Sequence, residues 1–328
     1  MAKLSPKLHF YDEQKIQSIN PDTIKLWNKY KVDMELRELS PKTQDGYYND
    51  LLHWWVYVLD NQENRCVTEL TEDDLTLFFY YCKKGGNNSR RMKRRMSSIS
   101  AFYKYLRKKK LITENPMEFI DRPAKDTDVA AQTFLTKEQV AAMRDTLQHQ
   151  IDTAATAHQR HMWMTIRCYA FFSLSTMARV TAVSNTRWEQ IDFDARIVAD
   201  VVEKEGYVVD LYFSEEVKGY LNELTVFRSE NQIDDAGYVF AAYSGGEYNK
   251  TGTSTLGQWC KRVGDLIGVP TLHPHDFRHS GSQLMLLAGA TVEEISNQLN
   301  HKGLDVTKKH YLRIDKNKVR ETHDKYCV

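Results

Sequence analysis

The chain has 328 residues, 41% of them hydrophobic, which is enough to bury a sizeable core and to divide into two domains. Its formal net charge is only +1, so bulk charge does not announce a nucleic-acid partner; the distribution of charge has to carry that argument. No apolar run is long enough to span a bilayer, no signal-peptide pattern opens the chain, and Cys66, Cys82, Cys168, Cys260 and Cys327 form no Cys-x-x-Cys pair, which excludes a membrane-spanning or disulfide-framework protein and implies reduced thiols in the cytoplasm.

Residues 1–21 read as a polar lead-in. Over 22–115 helical patterns follow one another with no strand-like alternation. Asp22 begins the first, and Ser40-Pro41 supplies a cap and a first-turn proline for the second, which carries Leu51, Leu52, Trp54, Trp55 and Val58. Thr71-Glu72-Asp73-Asp74 opens a third, and Gly85-Gly86-Asn87-Asn88 breaks the chain before a fourth with Ile99, Phe102, Tyr103 and Leu106. A compact all-helical domain follows. Between Lys83 and Lys110 the chain carries many Lys and Arg, including Arg90, Arg91, Lys93, Arg94 and Arg95, and no acidic residue. Such a run is more often a solvated face, but with Asn87, Asn88, Ser89, Ser97 and Ser98 interspersed it suits contact with a phosphate backbone.

Residues 116–133, with Pro116, Pro123 and the polar run Lys125-Asp126-Thr127-Asp128, read as an interdomain linker. The second domain, 134–328, opens with a capping box at Thr136-Lys137-Glu138-Gln139. A long helix from about Gln159 ends in Leu174-Ser175-Thr176-Met177-Ala178-Arg179-Val180-Thr181, where an arginine in a surface salt bridge is the bland reading of Arg179. Ile197 to Val202 and Tyr207 to Phe213 are β-rich runs joined by Glu203-Lys204-Glu205-Gly206, a hairpin signal with Lys204 at its turn.

The densest chemistry lies in His273-Pro274-His275-Asp276-Phe277-Arg278-His279, then Leu299-Asn300-His301-Lys302, then His310-Tyr311. Imidazoles, a guanidinium and a phenol within about forty residues can hold and attack a phosphate. Pro274 suits a first helical turn and Gly289 a stop, which places His275 and Arg278 on one face at a helix N-terminus, where backbone N–H groups favour an anion. Thr291-Val292-Glu293-Glu294 caps a short helix with Val292, Ile295 and Leu299 on its buried stripe, leaving His301 in the turn beyond. Asp305 can cap a third helix that bears Tyr311 on its second turn. The histidines are dense enough for a metal site, but no His-Glu-x-x-His or Cys-x-x-Cys spacing appears, so no metal or other cofactor is expected.

This pattern resembles the C-terminal signature of the tyrosine recombinases, the phage-integrase and Xer-like family, which reads His-x-x-Arg-His, then Leu-Gly-His, then a tyrosine roughly ten residues later. His275, Arg278, His279, His301 and Tyr311 match, and Asn300 replaces the usual Gly, a substitution a left-handed helix end tolerates. Arg179 matches the first catalytic arginine of a Gly-x-Arg-x-x-Glu-type segment, although Ala178 and Ala182 depart from the common residues, and Lys204 matches a catalytic lysine carried on a hairpin. The stretch from Leu39-Ser40-Pro41-Lys42-Thr43 through Ala101-Phe102-Tyr103-Lys104-Tyr105-Leu106 to Asn115-Pro116 looks like the family's core-binding domain, which adds Lys42 and Thr43 to the DNA-binding candidates Arg90, Arg91, Lys93, Arg94 and Arg95.

The resemblance implies a mainly α fold with a small antiparallel β-sheet: a helical, SAM-like core-binding domain at 22–115 and an α+β catalytic domain at 134–328 that ends in a tail. It implies a site-specific recombinase that forms a covalent 3′-phosphotyrosine, with Tyr311 as nucleophile, Arg179 and Arg278 on the phosphate oxygens, Lys204 as acid for the leaving 5′-hydroxyl, and His275 and His301 assisting. The partners implied are double-stranded DNA with specific recombination sites, a homotetramer exchanging C-terminal tails and an accessory directionality factor, in a prokaryotic cytoplasm at the nucleoid. A type IB topoisomerase is the nearest rival in mechanism, and a non-catalytic DNA-binding regulator the rival in class.

Overall fold

The computed structural model describes residues 13–124, 134–202 and 207–299. The chain divides into two compact units, Met1–Ala130 and Ala131–Val328.

In the first unit the described residues form helices α1 (Glu13–Ser18), α2 (Pro21–Leu36), α3 (Pro41–Asn61), α4 (Glu72–Lys84) and α5 (Ser89–Lys108). Their starts are chemically marked. Ser40 accepts the Thr43 N–H ahead of Pro41, Thr71 and Asp74 form a reciprocal capping box, and Asn88 accepts the Arg91 N–H. The first long helix begins one residue earlier than Asp22 suggested, because Asn20 takes the Asp22 and Thr23 N–H groups and Pro21 fills the first position. The polar lead-in also contains structure: Ile16 and Ile19 of α1 and its exit pack on the helical core, and Lys15 pairs with Asp60 at 2.6 Å. The core is aromatic, with Trp54, Trp55, Tyr30, Phe78, Phe102 and Tyr103 fully buried. The linker assignment needs trimming. Met117 is buried in this core, Ile120 packs against it, and Arg122 donates to Ser97, so the apolar positions of 116–122 belong with the helices.

The second unit contains α6 (Lys137–Asp152), α7 (Ala157–Thr176), α8 (Val180–Asn185), α9 (Glu215–Glu230), α10 (Thr253–Leu266), α11 (Pro274–Leu287) and α12 (Val292–Gln298). Strands β1 (Ile191–Asp192), β2 (Ile197–Val202) and β3 (Val208–Tyr212) pair antiparallel in that order, with an irregularity between Val198 and Val201. A second hairpin, β4 (Ala241–Ser244) and β5 (Glu247–Lys250), turns at Gly245 and Gly246, both with positive φ. The residues of the β2–β3 turn, Lys204 among them, lie outside the described residues. Among the described residues no helix is long and apolar enough to cross a membrane.

α7 is the axis of this unit. It is buried almost continuously from Trp163 to Ser173 and packs against α6, α9 and α11, as a helix apolar on all sides must. α11 crosses it closely only because Gly281 has no side chain: a Cβ there would lie 2.5 Å from both the Leu174 carbonyl oxygen and Met177 Cγ. Alanine at 281 gains about 1 kcal/mol of helix propensity, yet it collides with a carbonyl that cannot move without shifting a core helix. Gly281→Ala is therefore expected to destabilise by about 1–2 kcal/mol net in urea unfolding. Gly257→Ala on α10, where nothing lies within 4 Å of the new methyl, should stabilise slightly. Equal effects of the two would refute the close-approach account.

Candidate active site

α7 ends in an unusual way. Its C-cap, Met177, adopts the left-handed conformation (φ 52°, ψ 25°), which costs a non-glycine residue about 1 kcal/mol or more. That turn redirects the chain, so that two residues later Arg179 stands half-buried at the N-cap position of α8.

α11 supplies the other half. It starts at Pro274 and is followed by Gly289 at φ 104°, as the sequence indicated. His273 precedes it and forms a capping box with Asp276: the His273 N–H donates to Asp276 Oδ2 at 3.0 Å, and Nδ1 lies 2.6 Å from the same carboxylate oxygen. Burial raises the Asp276 pKa, against the lowering effect of these bonds. One turn in, Arg278 is 2% exposed. Its Nη1 donates to the Met177 carbonyl at 2.5 Å and its Nη2 to the Leu299 carbonyl at 2.6 Å. The guanidinium thus fastens the end of α7 to the end of α12, where the helix dipoles favour a cation. Both bonds are charge-assisted and fix the plane of the fork.

His275 stays solvent-accessible on the first turn and meets the buried His279 edge-on at 4.6 Å; His279 in turn abuts Phe134. The His275 pKa is lowered, first by partial desolvation and then by Arg278, His273 and Arg179. The shift favours the neutral imidazole, the form able to accept or relay a proton. Arg179, His275 and Arg278 therefore share one electrostatic environment. Lys204, His301 and Tyr311 lie outside the described residues. Among the described residues, no three His, Cys, Asp or Glu side chains come together as metal ligands.

Two participants were not read from the sequence: Met177 and the Leu299 carbonyl. A backbone acceptor leaves no sequence signal, and methionine in a long apolar helix reads as core. The left-handed turn could have been suspected only from the family's glycine at that position.

The basic candidates of the first unit divide into two kinds. Lys42, Thr43, Arg90, Arg91 and Arg94 are exposed, and Lys93 is half-buried. Arg94 leans across Gly46 of α3 to Asp50, with Nε 3.2 Å from the carboxylate. Arg95 corrects the DNA-binding assignment. It is 3% exposed, its Nη1 donating to His53 Nδ1 at 2.5 Å and lying 3.2 Å from Cys82 Sγ, because position 95 falls on the face of α5 that packs on α3 and α4. That environment pushes the His53 pKa down to about 3, mainly through burial and then through Arg95, so the imidazole is the acceptor.

The phage integrase family matches residues 133–318, and the N-terminal SAM-like domain of phage integrases matches residues 9–110. The chain is 25% identical over 296 residues to a tyrosine recombinase XerC of Pediococcus pentosaceus, covering 88% of this chain and 93% of the relative. It is 24% identical over 321 residues to the XerC of Leptospira interrogans, covering 96% of each. In fold it is similar to the XerH site-specific recombinase bound to a palindromic difH substrate (TM-score 0.69, 15% identity, 95% of this chain and 89% of that one). It is also similar to the Tn1549 transposon integrase in complex with circular intermediate DNA (TM-score 0.68, 16% identity, 92% and 98%).

Removing the Arg95 side chain leaves buried groups without their partner, whereas removing Arg91 touches only the surface. Arg95→Ala is expected to lower unfolding free energy by about 1–3 kcal/mol, and Arg91→Ala to stay within about 0.5 kcal/mol of wild type. Chemical denaturation of the two variants checks this, and a silent Arg95→Ala would contradict the buried cluster.

Proposed function

The chain belongs to the phage integrase family and is a tyrosine-type site-specific DNA recombinase, and on that premise we propose that Arg179, Lys204, His275, Arg278, His301 and Tyr311 form its strand-exchange site. The observation that carries the assignment is that Arg278, one turn past His275 on α11, bonds to the Met177 carbonyl two residues before Arg179. His301 and Tyr311 follow α12 in the chain, and Arg278 holds the carbonyl of that helix's C-cap, Leu299.

In this reading Tyr311 Oη attacks the scissile phosphorus and the P–O5′ bond breaks, leaving a 3′-phosphotyrosine and a free 5′-hydroxyl. A phenol has a reference pKa of about 10, so the neighbouring cations and a neutral His275 must ease its deprotonation. Arg179 and Arg278 hold the non-bridging oxygens, since guanidinium forks match phosphate geometry and keep their charge. Such positioning and electrostatics carry most of the catalysis in phosphoryl transfer. Lys204 protonates the leaving 5′ oxygen and His301 donates to the phosphate. One phosphodiester replaces another, so the step reverses without ATP and without a metal ion.

The partner is double-stranded DNA bearing specific sites, held in the first unit by Lys42, Thr43, Arg90, Arg91, Lys93 and Arg94 through the phosphate backbone. Solved neighbours of this fold were captured on recombination substrates and on a transposon intermediate, which supports DNA as the partner and a mobile element as a setting. The reading extends to four protomers on two sites with C-terminal tails exchanged, an accessory factor setting direction, and a place at the bacterial nucleoid.

Wild type incubated with supercoiled DNA carrying sites from the neighbourhood of its gene should yield covalent protein–DNA adducts after denaturation, and Tyr311→Phe should yield none. Adducts with the phenylalanine variant would show that another residue is the nucleophile; relaxation without rearranged products would move the protein to the topoisomerase class. Deleting residues 314–328 should impair recombination far more than cleavage of a nicked trap substrate, and equal loss of both would remove the tail-exchange proposal.

A further inference from the structure

Met177 does more than end a helix. It stands at a left-handed position that glycine occupies without strain, so its side chain has a reason to be there that the turn alone does not supply. That side chain is 2% exposed and packs with Ile295 and Leu299, surrounded by Met285, Leu286 and Ala290. Gly281 leaves room for it on α11, and Ser282 Oγ donates to its sulfur at 3.6 Å.

Met177 therefore acts on Arg278 twice. Its carbonyl, aimed by the left-handed turn, takes Nη1. Its side chain seats Leu299, whose carbonyl takes Nη2. A glycine would preserve the first effect and lose the second.

We propose that Met177 is a positioning residue for strand cleavage, fixing the Arg278 fork and the end of α12 from which the chain runs on to His301 and Tyr311. This rests on the reading of Arg278 as a phosphate-binding residue. Met177 touches no substrate atom in it, and its effect passes through Arg278.

The test measures the rate of covalent adduct formation on a nicked trap substrate with wild type, Met177→Ala, Met177→Leu and Leu299→Ala. Met177→Ala keeps the backbone strain and removes the packing, and should slow cleavage by about tenfold or more, whereas Met177→Leu, which keeps the apolar volume, should stay within about threefold of wild type. Leu299→Ala removes the packing from the opposite side and should reproduce the alanine result, so the proposal survives a Met177 variant that fails to fold.

The same four proteins are then given a substrate whose scissile phosphate carries a methyl in place of one non-bridging oxygen. That phosphate is uncharged and has less need of an aligned guanidinium, so the ratio of wild type to Met177→Ala should shrink to about threefold or less. An unchanged ratio on both substrates would mean a general loss of structure and overturn the proposal, as would a wild-type rate for Met177→Ala on the ordinary phosphate. If the wild type itself forms no adduct on a substrate it binds, the failure belongs to the assignment of the active site, and the positioning role falls with it.

Discussion

One buried guanidinium ties three helices of the second unit together. Arg278 lies on the first turns of α11, yet its two terminal nitrogens bond to carbonyls at the ends of α7 and α12. Three helix termini thus meet at a single cation. Helix C-termini present carbonyls with no partner inside their own helix, and a charged donor among them meets that need while being held in one plane. The cost of burying the charge is offset only because the acceptors are placed with it. Gly281 and the left-handed Met177 are the two backbone features that allow the three elements to come so close.

His275 shows how the same cluster sets protonation. Partial burial and then the neighbouring cations lower its pKa, while the carboxylate next in sequence, Asp276, is turned inward to cap the helix and take His273. Asp276 thus spends its carboxylate on His273, while the His275 ring faces solvent. In the proposed strand exchange this would leave the fixed positive charge to the arginines and the mobile proton to the histidine.

The basic helix of the first unit carries a different lesson. α5 carries arginines and lysines toward both of its ends, but a helix has two faces, and the one toward the core takes Arg95 with it. There it serves His53 and Cys82 and not a solvent-facing ligand. Adjacent Arg94 remains at the surface, tethered to Asp50. Composition marked the helix as cationic; only the rotation about its axis sorted the contacts.

The sequence by itself determined the helical first unit, its capped helix starts, the family and the residue set expected to carry the chemistry. These are written in local patterns: capping boxes at Thr71, Thr136 and Thr291, first-turn prolines at Pro41 and Pro274, and a His-x-x-Arg-His run at one end of the chain. Tertiary structure decided what local patterns do not encode. That Met117 and Ile120 fold back onto the helices, that Arg95 turns inward, and that Arg278 finds two carbonyls more than twenty residues away each depends on which faces pack together. Backbone acceptors have no residue type to betray them. The strain at Met177 is likewise a property of a turn that packing imposes, and a methionine, unlike a glycine, does not mark such a turn in the chain.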